Sequence, residues 1–202
     1  GCGGAANAST AINNYRLFRG EYGSVTSTVG GNIRIDGLEL PPLSGCLLGT
    51  GTARNFEIGG RTFINNLTQR VFKGDISEII VFGGTQTTLE RSKVESHLAF
   101  KYGITLDQTT AQNYILSDGT VVWNATTAGA YNKNIVVMTR DDAGKLYQKQ
   151  SRSVNVDRKA TIMVASGAIP ASNQVNAATS ADKTYTAISD NGASLNLSAM
   201  TP

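Results

Sequence analysis

The chain has 202 residues, 40% of them hydrophobic and only 16% charged, with a net charge of +3. That length makes one large domain or two small ones, and the charged fraction lies well below the roughly 25% usual in soluble domains, the balance being Gly, Ser, Thr, Asn and Ala. Lys and Arg are scattered without a basic run, which excludes a nucleic-acid face, and the longest apolar run, Ile79–Phe82, is too short to span a bilayer.

In chain order, Cys2 and Cys46 come first; neither sits in a CxxC pair, so no zinc or redox motif is present, and a single disulfide stays open. Asn32 to Leu40 alternates apolar and polar residues on both sides of Asp36-Gly37 and predicts a hairpin with a type I′ turn. Phe72 to Phe82 predicts a longer strand, whose continuous apolar second half should be buried on both faces.

One helix is predicted over about 87–103. Thr87-Thr88-Leu89-Glu90 is a capping box, Val94, Leu98 and Tyr102 recur every four residues as an apolar stripe, and Gly103 suits the left-handed position after the last turn, with Ile104 packing back. Tyr114 to Trp123, turning at Asp118-Gly119, and Tyr185 to Leu197, turning at Asn191-Gly192, repeat the hairpin device. Ile135–Met138 and Ala160–Ala165 read as central strands, and 1–14, 83–86, 126–130 and 170–182 as loops.

Chemistry is sparse. His97 is the only histidine, placed by the helix reading near the apolar stripe, so a Ser-His-Asp or Cys-His arrangement depends on it alone. The glycine pairs 30–31, 59–60 and 83–84 lack the Lys-Ser/Thr of a phosphate-binding loop. Trp123 ends an apolar strand and reads as core, whereas Tyr15, Tyr22 and Tyr131 lie in loop-rich stretches where they could contact a sugar.

Gly74-Asp75-Ile76-Ser77-Glu78-Ile79-Ile80-Val81-Phe82, followed by Leu89-Glu90-Arg91, resembles the closing strand and turn of LamG-like (concanavalin A-like) jelly-roll domains. Ile33 to Gly37 and Phe56 to Gly60 are similar to earlier strands of that fold. Val94-Glu95-Ser96-His97-Leu98-Ala99-Phe100-Lys101-Tyr102-Gly103-Ile104-Thr105-Leu106 resembles a V-E-x-Y-L-A-x-K-Y-G-I-T-L segment of large secreted Bacteroidetes-type proteins, with His97 where an aromatic is usual. In those proteins a LamG-like domain runs into a second β-rich domain. Many are multidomain and exported, some by the type IX route, and several are adhesins, including gliding adhesins.

The resemblance implies an all-β fold: the later part of a LamG-like antiparallel β-sandwich over 1–105, its first strands preceding this piece of a longer protein, then a second β-sandwich-like domain over 106–202, joined by the amphipathic helix. It implies calcium as the one candidate cofactor, with Asp141 and Asp142 as carboxylate ligands. The paired carboxylates that concanavalin-like glycosidases carry on one strand are missing, since Asp75 and Glu78 lie three apart and point to opposite faces. The expected function is therefore a non-catalytic adhesion or structural module at the cell surface. A lectin-like carbohydrate-binding domain is the alternative, and an accessory region of a glycoside hydrolase a third reading. Expected partners are other domains of the same chain and glycans or surface polymers, without nucleic acid or direct membrane insertion.

Overall fold

A computed structural model describes residues 15–21, 32–41, 60–61, 70–153 and 161–193. Strands dominate them. β1 (Phe18–Glu21), β2 (Asn32–Ile35) and β3 (Leu38–Glu39) form one sheet in that order, and β4 (Gly60–Arg61) pairs with β5 (Arg70–Val71). Helix α1 (Thr88–Tyr102) follows. β6 (Tyr114–Ile115) pairs with β7 (Val121–Trp123), after which comes a single turn of helix, α2 (Ala125–Ala128). β8 (Lys133–Asp141) is flanked by β9 (Leu146–Gln148) and β12 (Tyr185–Asp190), while β10 (Gln150–Arg152) pairs with β11 (Met163–Ala165). All these pairings are antiparallel.

The first hairpin forms as expected: Asp36 (φ 49°) and Gly37 (φ 82°) are both left-handed, and Ile35 faces Leu38 across the two-residue loop. The second does not use a type I′ turn. The Gly119 N–H closes a turn onto the Leu116 carbonyl at 2.9 Å, and only Gly119 (φ 95°) is left-handed, so Ser117 and Asp118 fill the turn and glycine takes the bulge after it. Near Asn191-Gly192, β12 pairs with β8; the expected return strand, like Cys2 and Cys46, lies outside the described residues.

Ile135, Val136 and Val137 are each 1% exposed, so the middle of β8 is buried on both faces, as expected of a central strand. Each such side chain contributes about 1.5–3 kcal/mol. The strand expected at 160–165 is shorter and half-exposed, paired only with β10, because nothing among the described residues flanks its other edge. Residues 126–130 were expected as loop, but Asn124 caps α2 by accepting the Thr127 N–H at 3.0 Å.

The largest correction concerns 72–82. This stretch joins no sheet, and Ile76, Ile79, Ile80, Val81 and Phe82 are exposed. Its alternation suits a strand, yet among the described residues no ladder partner covers it.

Helix α1 has the expected ends. Glu90 accepts the Thr87 N–H at 2.7 Å, the Thr87 hydroxyl accepts the Glu90 N–H at 3.2 Å, and Gly103 is left-handed at φ 66°. Its buried face is not the expected stripe. Glu95, Ser96, Ala99 and Phe100 face inward, while Val94, Leu98 and Tyr102 are half-buried. Glu95 is held by Arg34 of β2 at 2.9 Å, and the Ser96 hydroxyl accepts the Ile115 N–H at 3.1 Å.

One apolar cluster joins Leu17, Ala99, Phe100, Ile104, Leu106, Tyr114, Trp123, Ile135, Val137 and Leu146. The boundary expected at residue 105 falls inside it, so α1 belongs to the core of the β region that follows. Tyr114 centres this core: its ring meets Phe100 and the edge of Trp123, and its hydroxyl accepts the Leu106 N–H at 2.7 Å. Where α1 ends, the β10 backbone crosses so closely that a Cβ on Gly103 would lie 1.8 Å from the Arg152 carbonyl oxygen. Gly103→Ala should therefore destabilise the protein by more than the roughly 1–2 kcal/mol of left-handed strain alone, read as a fall in the urea midpoint. A change of a few tenths of a kcal/mol would refute this packing.

Candidate functional site: the Asp141 cleft

Between α1 and the β8–β9 turn lies an open cleft of about 220 Å³. Val94, His97 and Phe100 of α1 form one wall, Ile115 and Leu146 another, and Ile80 closes a side. The walls are apolar; the polar side chains are Lys93, His97, Ser117 and Asp141.

A histidine, a serine and an aspartate thus share one cleft, as a nucleophilic triad would require, but their bonding differs. The Ser117 hydroxyl donates to Asp141 Oδ1 at 2.6 Å, and the Ser117 N–H donates to Oδ2 at 2.7 Å. Gly144 N–H and Lys183 Nζ donate to Oδ1 at 3.2 and 2.6 Å. Among the described residues His97 makes no hydrogen bond to either. Burial, and then the Lys101 charge, push the imidazole below its ordinary pKa against the opposing pull of Glu78 and Asp141, so it is neutral at pH 7.

Lys183 also reaches the Ser117 hydroxyl at 3.2 Å, the spacing of a Ser-Lys dyad. A lysine base must be neutral, however, and its hydrogen bond to Asp141 pushes the ammonium pKa up. The cation therefore cannot take the serine proton. Desolvation is the largest influence on Asp141 and opposes its ionisation, yet Lys183, Ser117 and Gly144 together hold the carboxyl far below the ordinary aspartate range. The assembly is a permanently charged tie.

The two expected calcium ligands face different tasks. Asp141 is 3% exposed and its oxygens already accept four donors. Asp142 is exposed and takes a two-point contact from Arg140 at 2.8 and 3.0 Å. Among the described residues no group of three or more His, Cys, Asp or Glu side chains gathers to hold a metal.

The tyrosines are dispersed. Tyr15 is 51% exposed and stacks on Tyr102 at 5.5 Å. Tyr131 is 58% exposed, and its carbonyl accepts the Ser189 hydroxyl, which in turn accepts the Trp123 indole N–H at 3.1 Å. Tyr22 lies outside the described residues. Trp123 is core, as expected. Sequence reasoning missed Ser117 and Lys183. A serine beside Asp-Gly reads as turn chemistry, and a lysine 42 residues from its partner carries no local signal.

A family model described as Domain of unknown function (DUF8202) matches residues 90–202. The chain belongs to this family. No curated protein and no solved structure matches it. The DUF8202 match takes in nearly all of α1 together with β6 to β12, and its residues supply all of the apolar cluster but Leu17 and all of the cleft lining but Ile80. Helix and β region are thus one family unit. Among the described residues of this DUF8202 protein, no helix is long and apolar enough to cross a membrane.

Removing the carboxylate strands three donors and a cation. Asp141→Ala should cost about 3 kcal/mol. Because the folded carboxyl is held below its unfolded value near 3.9, its stabilisation is present above about pH 5 and lost as pH falls through the folded value. Urea titrations of the wild type and Asp141→Asn should differ most at pH 6–8 and converge under acid. A gap that widens on acidification would contradict the assignment.

Proposed function

We propose that this protein is a non-catalytic structural or adhesive module of a larger extracellular bacterial protein, built as β-sandwich layers in the manner of the LamG-like surface proteins its sequence resembles. The observation that carries the reading is the state of the cleft: the side chains that might do chemistry are consumed in ties. The Ser117 hydroxyl donates a hydrogen bond to a carboxylate, Lys183 is held as a cation, and His97 is hydrogen-bonded to neither. A nucleophile needs a base within hydrogen-bonding reach of its proton, and here the Ser117 hydroxyl is bonded to Asp141 while Lys183 is held as a cation.

Several features fit a load-bearing module. Its helix is clamped to two β units, through Arg34–Glu95 and through Ser96 with Ile115. Its sequence is rich in Gly, Ser, Thr and Asn and only 16% charged, suited to contact with polymers and neighbouring domains. A lectin-like reading has narrower support in Tyr131, an exposed ring on a loop pinned to the Trp123 core.

The two are separable. With wild type, Ser117→Ala and His97→Ala, a panel of nitrophenyl esters and glycosides should show no turnover above buffer. Turnover by the wild type lost in both variants would overturn the proposal in favour of an enzyme. On a glycan array, discrete binding abolished by Tyr131→Ala without a change in melting temperature would shift the reading to a lectin.

A further inference from the structure

Asn191-Gly192 is the sole Asn-Gly pair of the sequence. It follows directly on Asp190, the last residue of β12, whose ladder partner is Lys133 of β8. Asn191 is exposed, and Gly192 is left-handed at φ 69°. A Cβ at 192 would lie 3.0 Å from Lys133 Cγ, so this backbone suits glycine, and the Gly192 nitrogen has no side chain beside it to hinder attack on a carbonyl carbon.

The surrounding bonds sort into chemical roles. The Gly192 N–H donates to Asp190 Oδ1 at 2.8 Å. The other oxygen of that carboxylate accepts the Asn134 side-chain amide at 2.7 Å, which fixes its orientation. The Asn191 side-chain oxygen accepts the Ala193 N–H at 3.0 Å, which folds the amide back along the backbone that follows it. A nucleophile with a base in hydrogen-bonding reach, a partner orienting that base, and a donor on the oxygen that will gain charge are the parts of an acyl-transfer site.

We propose that Asn191 is a self-modification site, at which the Gly192 nitrogen displaces ammonia from the Asn191 side chain. Asp190 takes the Gly192 N–H proton as the nitrogen bonds to Asn191 Cγ. The Ala193 N–H stabilises the oxyanion that forms at Oδ1. The bond from Cγ to the side-chain nitrogen then breaks, and that nitrogen leaves as ammonia with the proton Asp190 held. Water opens the resulting cyclic succinimide at either carbonyl, giving aspartate or isoaspartate. The net change is an amide and water becoming an acid and ammonia, with nothing oxidised or reduced. Either product sets a new carboxyl group next to Asp190, and isoaspartate also adds a methylene to the main chain where β12 leaves β8. The change is one-way, so it accumulates with the age of the chain, and it is independent of the cleft.

Incubation of the intact chain at mildly alkaline pH, followed by mass-spectrometric peptide mapping, tests this. In the wild type, aspartate and isoaspartate should accumulate at position 191 ahead of Asn113, Asn124 and Asn173, which precede larger residues. Asp190→Ser keeps an acceptor for the Gly192 N–H but no carboxylate base, and should slow the conversion at least about tenfold. Asp190→Ala removes acceptor and base together and should slow it as well, whereas a carboxylate that merely pinned Gly192 would leave this variant faster than wild type. Wild-type Asn191 that persists as long as the other three asparagines overturns the proposal without recourse to any variant. Conversion in either Asp190 variant, still folded by its Trp123 fluorescence, at the wild-type rate or above does the same.

Discussion

The Asp141 carboxylate sits at the end of β8 where three stretches of chain converge, and it is almost wholly out of water. An aspartate there is tolerable only because every approach to it is filled: the hairpin turn through Ser117, the β8–β9 turn through Gly144, and the approach to β12 through Lys183. Burying a charge is costly unless it is paired and hydrogen-bonded, and the same low-dielectric setting makes the satisfied group hard to disturb. One side chain thus ties together β6–β7, β8–β9 and the approach to β12, and lines the cleft beside α1.

A second buried charge repeats the logic on the other side of the helix. Glu95 is 2% exposed and meets Arg34, whose guanidinium also reaches Glu39 and the Gly37 carbonyl. Between these poles Tyr114 fills the core, its ionisation suppressed by burial. Helix α1 is consequently fastened by polar contacts at its flanks and apolar ones along Ala99 and Phe100. It is a structural member common to both sides of residue 105, and the DUF8202 match beginning at residue 90 within that helix follows the same grouping.

What could be read from the sequence was whatever is decided within a few residues. The capping box, the Gly103 cap and the Asp36-Gly37 turn are local geometry, and all three formed. The helix face was misjudged because its inward side carries Glu95 and Ser96, and polar residues reveal their burial only through partners far along the chain. Residues 72–82 were misjudged for a related reason: alternation describes a strand's faces and says nothing about whether a neighbour exists to pair with. The tie at Asp141 was not legible because two adjacent acids before a glycine give no local sign of a lysine 42 residues away.

Among the described residues, buried charges at Asp141 and Glu95 hold elements together, and an apolar-walled cleft lies beside the first of them. The central claim is that Asp141 is a permanently ionised tie, and the most direct measurement is an NMR titration of its side-chain carboxyl carbon in the folded protein. The resonance should stay at its ionised position from pH 8 down through the ordinary aspartate range near 3.9, and move only when the fold itself begins to fail. A titration step at or above pH 4 in the native state, leaving the fold intact, would contradict the account.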